Sequence, residues 1–156
     1  AKALHNIGMI YEVRGDYEMA LQHYQESLKI EEELDNRAGV ATSLHQIGMI
    51  HQQRGDYEAA LRHYQASREI AEDLGDRAGV AESLAQIGRL FTQIGRYGEA
   101  FDNLLVALFA FVELQSPNVR IVLNMLKELR GKWGAESFDA AWQKATGGDV
   151  PDWVKS

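Results

Sequence analysis

Apolar residues fall three and four apart over most of this chain, and the stripes break at regular places. Between residues 37 and 54 the apolar or small positions are Val40, Ala41, Leu44, Ile47, Gly48 and Ile50. That spacing predicts an amphipathic helix from Arg37 to Arg54. Gly55 interrupts it, and Asp56 is placed to cap a second helix, with Glu58 adding favourable charge in the first turn. Tyr57, Ala60, Leu61, Tyr64 and Ser67 give that helix a packing face, and it is expected to end near Leu74 with Gly75 as its C-terminal stop. Asp76 then caps the next helix. The alternation that marks a strand occurs nowhere.

This pair of helices repeats. Residues 1–40 align with 41–80 without a gap and share 25 identities, so the chain is an array of one supersecondary unit. A third copy keeps Leu84, Ile87, Gly88, Gly95, Tyr97, Ala100 and Leu114. Its second helix is apolar nearly all round, from Leu104 to Val112, and is expected to need cover on more than one side. Ser116-Pro117 signals a helix running through about Leu129. Phe138, Ala141 and Trp142 then echo Tyr97, Ala100 and Phe101 at an offset of 41. A degenerate fourth hairpin is therefore expected to supply that cover, with Arg120, Lys127, Arg130, Lys132 and Lys144 on its outer side. The reading divides the chain into repeats at 1–34, 35–74 and 75–115, a capping hairpin at 116–147 and a tail at 148–156. Residues matching Arg37 to Val40 do not precede Ala1. The expectation is a C-terminal part of a longer protein, with an apolar end face prone to self-association.

The pattern Leu4, Ile7, Gly8, Tyr11, Gly15, Tyr17, Ala20, Tyr24 and Ser27 resembles the tetratricopeptide repeat. In that family small residues let two helices approach closely and aromatics fill the gaps between neighbours. Its usual unit has 34 residues, so this chain is similar to the long-repeat variety of kinesin light chains and spindle-orientation scaffolds. The worn, tryptophan-containing end resembles those of bacterial arrays. The proline usual near each unit's end is absent from the first two copies, where Glu32 and Glu72 stand. The resemblance implies an all-α, right-handed solenoid of antiparallel helix hairpins, three repeats plus a cap.

It also implies a protein-interaction module without catalysis, holding a peptide or helix of a partner in a concave groove lined by the first helix of each unit. The expected lining is Lys2, His5, Met9 and Glu12, then Thr42, His45, Met49 and Gln52, and last Glu82, Ala85, Arg89 and Thr92, with Gln93 beside them. These lie at i, i+3, i+7 and i+10. Chaperone-binding members hold a terminal carboxylate with Lys, Asn and Arg. At the matching positions stand His5, Met9, Gln46, Glu82 and Gln86, so that clamp is missing. Met9 and Met49 suggest an adaptable apolar contact or filling of the interhelix seam. His5 and His45 are read as exposed, and His45, Met49 and Arg89 as anchors. Two other roles stay open: a C-terminal sensor or scaffold acting on upstream domains of its own protein, and self-assembly through the N-terminal face.

Composition narrows the chemistry. Two prolines in 156 residues suit a nearly all-helical chain. Residues 1–116 carry 10 Lys and Arg against 18 Asp and Glu, while 117–156 carry 6 against 5. So acidic an array is a poor partner for a phosphate backbone, and no nucleic acid is expected. Without cysteine there is no disulfide, thiolate or Cys-ligated zinc, which fits a cytoplasmic location. The longest apolar run, Leu104 to Val112, is far short of the roughly 20 residues a membrane helix needs, so no membrane partner is expected. His5 and His45 are equivalent, as are His23 and His63, and His51 stands alone. Equivalent residues about 10 Å apart cannot share a metal ion that binds at about 2 Å. His23 and His63 are placed at a packed rim. Arg14-Gly15-Asp16 and Arg54-Gly55-Asp56 are read as interhelix turns rather than adhesion motifs. Glu31, Glu32 and Glu33 are read as a solvated charge run. No catalytic motif appears, and neither a metal nor a cofactor is expected.

Overall fold

A computed structural model describes all 156 residues as nine helices and no strand. Two compact units, Ala1–Ser83 and Leu84–Ser156, meet inside the fifth helix.

The first unit holds α1 (Lys2–Val13), α2 (Tyr17–Glu33), α3 (Arg37–Gln53), α4 (Tyr57–Asp73) and the first turns of α5 (Arg77–Gln93). Near-identical sequence gives near-identical local structure. Gly15 and Gly55 turn the chain at φ 77° and 80°, a region most side chains avoid. Asp16 and Asp56 then accept from the N–H groups of Met19 and Ala59 at 3.2 and 3.3 Å. The Arg-Gly-Asp tripeptides are thus a helix stop followed by a cap. Asn36 and Asp76 cap α3 and α5 in the same way, accepting from Gly39 and Gly79.

Within each hairpin a glycine lies against a tyrosine ring. A Cβ on Gly8 would stand 2.7 Å from the ring of Tyr24, and one on Gly48 2.9 Å from that of Tyr64. The phenols donate across the seam, Tyr24 to Glu12 at 2.8 Å and Tyr64 to Gln52 at 2.7 Å. The hydroxyls of Ser27 and Ser67 donate to the carbonyls of Ala1 and Ala41. Between hairpins, Ile47 and Ile50 of α3 are fully buried with Ala20 and Tyr24 of α2, each isoleucine contributing about 2 kcal/mol of apolar burial.

The second unit holds the rest of α5 with α6 (Tyr97–Glu113), α7 (Val119–Trp133), α8 (Ala135–Thr146) and α9 (Asp152–Lys155). Its seam is apolar: Leu104 replaces the tyrosine and lies against Gly88, and Thr92 bonds within its own helix to Gly88. Arg96 occupies the capping position of Asp16 and Asp56 but makes no cap. It pairs with Glu99 and lies 4.4 Å from the centre of the Phe91 ring. Phe101 meets Phe138 edge-on at 5.4 Å and also contacts Trp133 and Trp142, so α7 and α8 do cover α6. The cover is incomplete, because Val106, Phe109 and Val112 stay half exposed. On the capping hairpin Arg130 is committed to Asp139 of α8 at 2.8 Å, and Lys127 is half-buried. α7 also starts later than Ser116-Pro117 implies. The Ser116 hydroxyl accepts from Asn118, and two i+3 backbone bonds wind the chain before Val119. The helix continues to Trp133, where Gly134 at φ 97° stops it. Gly147, at φ 74°, closes α8.

Candidate functional site

The stripe expected to line a groove divides in two. At about 100° per residue, a position i+3 or i+10 lies about 60–80° round the helix from position i, while i+7 lies about 20° away. Lys2 and Met9 therefore share one side of α1, and both are exposed. His5 and Glu12 share the side that meets α2: the His5 ring is 5.4 Å from the Tyr24 ring and Glu12 accepts from its hydroxyl. The α3 residues follow suit. Thr42 is exposed and Met49 half-buried, whereas His45 packs 5.4 Å from the Tyr64 ring and Gln52 is 7% exposed. On α5, Glu82, Arg89 and Gln93 are exposed, and Ala85 and Thr92 are buried. His5, His45, Glu12, Gln52 and Thr92 are thus seam residues, which corrects the reading of His5 and His45 as exposed.

Burial shapes the chemistry of that seam. It pushes the Tyr24 phenol well above its ordinary pKa, helped by the hydrogen bond to Glu12 and by that residue's charge. It also lowers the pKa of His45. His51 is lowered by burial first and then by His63, whose ring is stacked on it at 5.1 Å. His51 is therefore paired, which its isolated place in the repeat pattern does not suggest. His23, the counterpart of His63, stacks on Tyr11. No group of three or more His, Asp and Glu side chains converges as a metal site.

Two clefts open at equivalent places in the first unit. One, about 280 Å³ in volume, lies among Lys2, His5 and Asn6 of α1, Ser27 and Glu31 of α2, and the start of α3. The other, about 130 Å³, lies among Thr42, His45 and Gln46 of α3, Ser67 and Ala71 of α4, and the start of α5. Glu31 is 8% exposed and accepts from the Asn36 amide at 2.5 Å. Only Glu32 and Glu33 of that acidic run are solvated. Sequence reasoning missed this carboxylate because its partner lies five residues on, beyond the end of its helix. No helix is long and apolar enough to cross a membrane.

Among solved structures the chain is similar to RapI in its apo form, at 18% identity over 89% of this chain and 50% of that one, with a TM-score of 0.80. It also matches BtubC (BKLC) from P. vanneervenii at 22% identity, covering 95% and 65% of the two chains, with a TM-score of 0.75. A Podosopora anserina protein described as a kinesin light chain with nearly identical TPR-like repeats matches at 15% identity over 93% and 75%, with a TM-score of 0.71. At these identities the likeness shows the fold, and the chain spans only half the length of RapI. No curated protein matches the sequence at a significant level. The family model that does match is the tetratricopeptide repeat, over residues 1–73 and again over 39–108. On those matches, which span well over half its length, the chain belongs to the tetratricopeptide repeat family, whose members generally serve as protein-interaction modules.

Proposed function

We propose that this chain is a non-catalytic interaction module of the cytoplasm that holds a peptide or helix of a partner protein along its first helices. The observation that carries the reading is the outward half of the stripe, where Lys2, Thr42 and Glu82 occupy one set of equivalent positions and Met9, Met49 and Arg89 another, with Gln93 one turn beyond Arg89. Methionine re-packs around varied partners, and charged residues beside it supply direction. Affinity capture from a lysate of the source organism tests this. The parent chain is compared with Met9→Glu/Thr42→Glu/Arg89→Glu, after the two are shown to be equally helical. A partner held by the parent and lost from the variant supports the reading, and equal capture by both contradicts it.

A second reading, self-association, draws on α1. Ile7 and Ile10 are 38% and 52% exposed, while their counterparts Ile47 and Ile50 are buried against the preceding hairpin. A second copy or another hairpin would cover the same face. Sedimentation over a range of concentrations tests it: a mass that rises with concentration in the parent and not in Ile7→Glu/Ile10→Glu supports assembly, and a constant monomer mass rules it out.

A further inference from the structure

The two clefts of the first unit share a plan and differ in where they place a carboxylate. His5 and His45, and Ser27 and Ser67, stand at the same points of each. In the first cleft the acid is Glu31, on the floor, and its sole hydrogen-bond partner is the neutral amide of Asn36. Gly39 leaves room at the carboxylate's flank, since a Cβ there would overlap it. In the second cleft Ala71 takes the floor and acids take the rim, with Asp76 in place of Asn36 and Glu82 in place of Thr42. An Asp at position 36 beside Glu31 would repel it, so the paired change from Glu31 and Asn36 to Ala71 and Asp76 keeps one acid at that pair while moving it, and Glu82 adds a second to the rim. Ala38 and Ala41 line the second cleft, which shows the concavity to be a property of the repeat with its first helical turn present.

A carboxylate withdrawn from water is costly unless a cation answers it, and Glu31 forms no ion pair. Lys2 lies at the mouth of the cleft, exposed and unpaired with Glu31. We infer that the cleft among α1, α2 and α3 is a subsite for a lysine or arginine side chain of a bound protein segment, with Glu31 as its counter-ion. The second cleft takes a second basic side chain against Asp76 and Glu82. Equivalent points on packed neighbouring helices lie about 10 Å apart. A polyproline-II chain advances about 9 Å in three residues and returns to the same face, so the fitting pattern is basic residues at i and i+3. Lys2 opposes the incoming cation, and removing it strengthens binding. This inference rests on the reading that the first-helix surface holds a peptide, and it names the peptide's chemistry.

The test is selection of a random dodecapeptide library on the immobilised 156-residue chain. Fluorescence anisotropy of the enriched peptides then follows, against the parent, Glu31→Gln and Lys2→Ala. Glutamine keeps an acceptor for Asn36, and Lys2 is exposed, so at least one variant reports on a folded chain. The expected result is enrichment of Lys or Arg pairs at i and i+3, with binding about ten-fold weaker to Glu31→Gln and about two-fold tighter to Lys2→Ala. Enriched peptides without basic residues, or basic ones that bind Glu31→Gln as well as the parent, overturn the inference and leave peptide binding standing. A selection that enriches nothing overturns both.

Discussion

Hairpins α3–α4 and α5–α6 are built on one plan from helices of identical length, yet they are held together differently. In α3–α4 a buried tyrosine crosses the seam to bond a glutamine. In α5–α6 the same two positions are Leu104 and Thr92, and both are buried. Losing one partner of a buried hydrogen bond strands the other, whereas replacing both with apolar or self-satisfied groups costs little. The repeat that looks worn in sequence has made that double replacement. At the position of Ser27 and Ser67, whose hydroxyls donate to backbone carbonyls, it has the fully buried Ala107, a single replacement that removes only the donor. Divergence at the tyrosine and its partner is therefore coordinated rather than random, and those two seam positions are linked.

The most severe way to break the comparison is at the glycine that lets the tyrosine in. Gly48→Val sets a branched side chain against the fully buried Tyr64 ring, and a loss of about 3 kcal/mol is expected in urea unfolding. Tyr64→Phe is next: it leaves Gln52 short of its phenol partner at a cost of about 1–3 kcal/mol. Adding Gln52→Leu to Tyr64→Phe is expected to recover most of that loss. A double variant no more stable than Tyr64→Phe alone would sink the idea of linked seam positions.

A smaller effect sharpens the contrast between turns. Position 35, 75 and 115 are equivalent, and all three have positive φ, at 53°, 68° and 53°, but only Gly75 is a glycine. Gln115→Gly should stabilise the chain by about 1 kcal/mol and Gly75→Gln should destabilise it by a similar amount, as read from thermal melts. The smallest effect separates the units by pH. All five histidines lie in the first unit, and His45, against Tyr64, and His51, between His63 and Asp56, both have lowered pKa values. The unfolded chain protonates them first as the pH falls. Their contribution is full above about pH 6.5 and is lost as the pH drops from there through the folded values. Asp139 in the second unit is held below the usual carboxylate range by its hydrogen bond with Arg130 and stays ionised across this interval. Between pH 7.5 and 5.5 the melting midpoint should fall for the parent and fall less for His45→Gln/His51→Gln.

Much of the fold was legible because repetition turns one reading into three: Gly55, Asp56, Gly75 and Asp76 set the ends of α3, α4 and α5 close to where they stand. The site was less legible. Treating positions i, i+3, i+7 and i+10 as one stripe ignores the helix's drift, which turns His45 and Gln52 toward Tyr64 while Thr42 and Met49 keep outward. Glu31 looked like part of a solvated run because periodicity carries no information about Asn36, which lies beyond the helix end. The stacked pair His51 and His63 joins two helices, and only tertiary structure brings it together.

The claim that matters most is that partners are held on the outward half of the first helices and not on the exposed apolar stripe of α6. Isothermal titration of a captured partner into three chains tests it directly: the parent, Met9→Glu/Arg89→Glu and Val106→Glu/Phe109→Glu. The account predicts affinity at least about ten-fold weaker for the first variant and unchanged for the second. An unchanged first variant with binding lost from the second would contradict it.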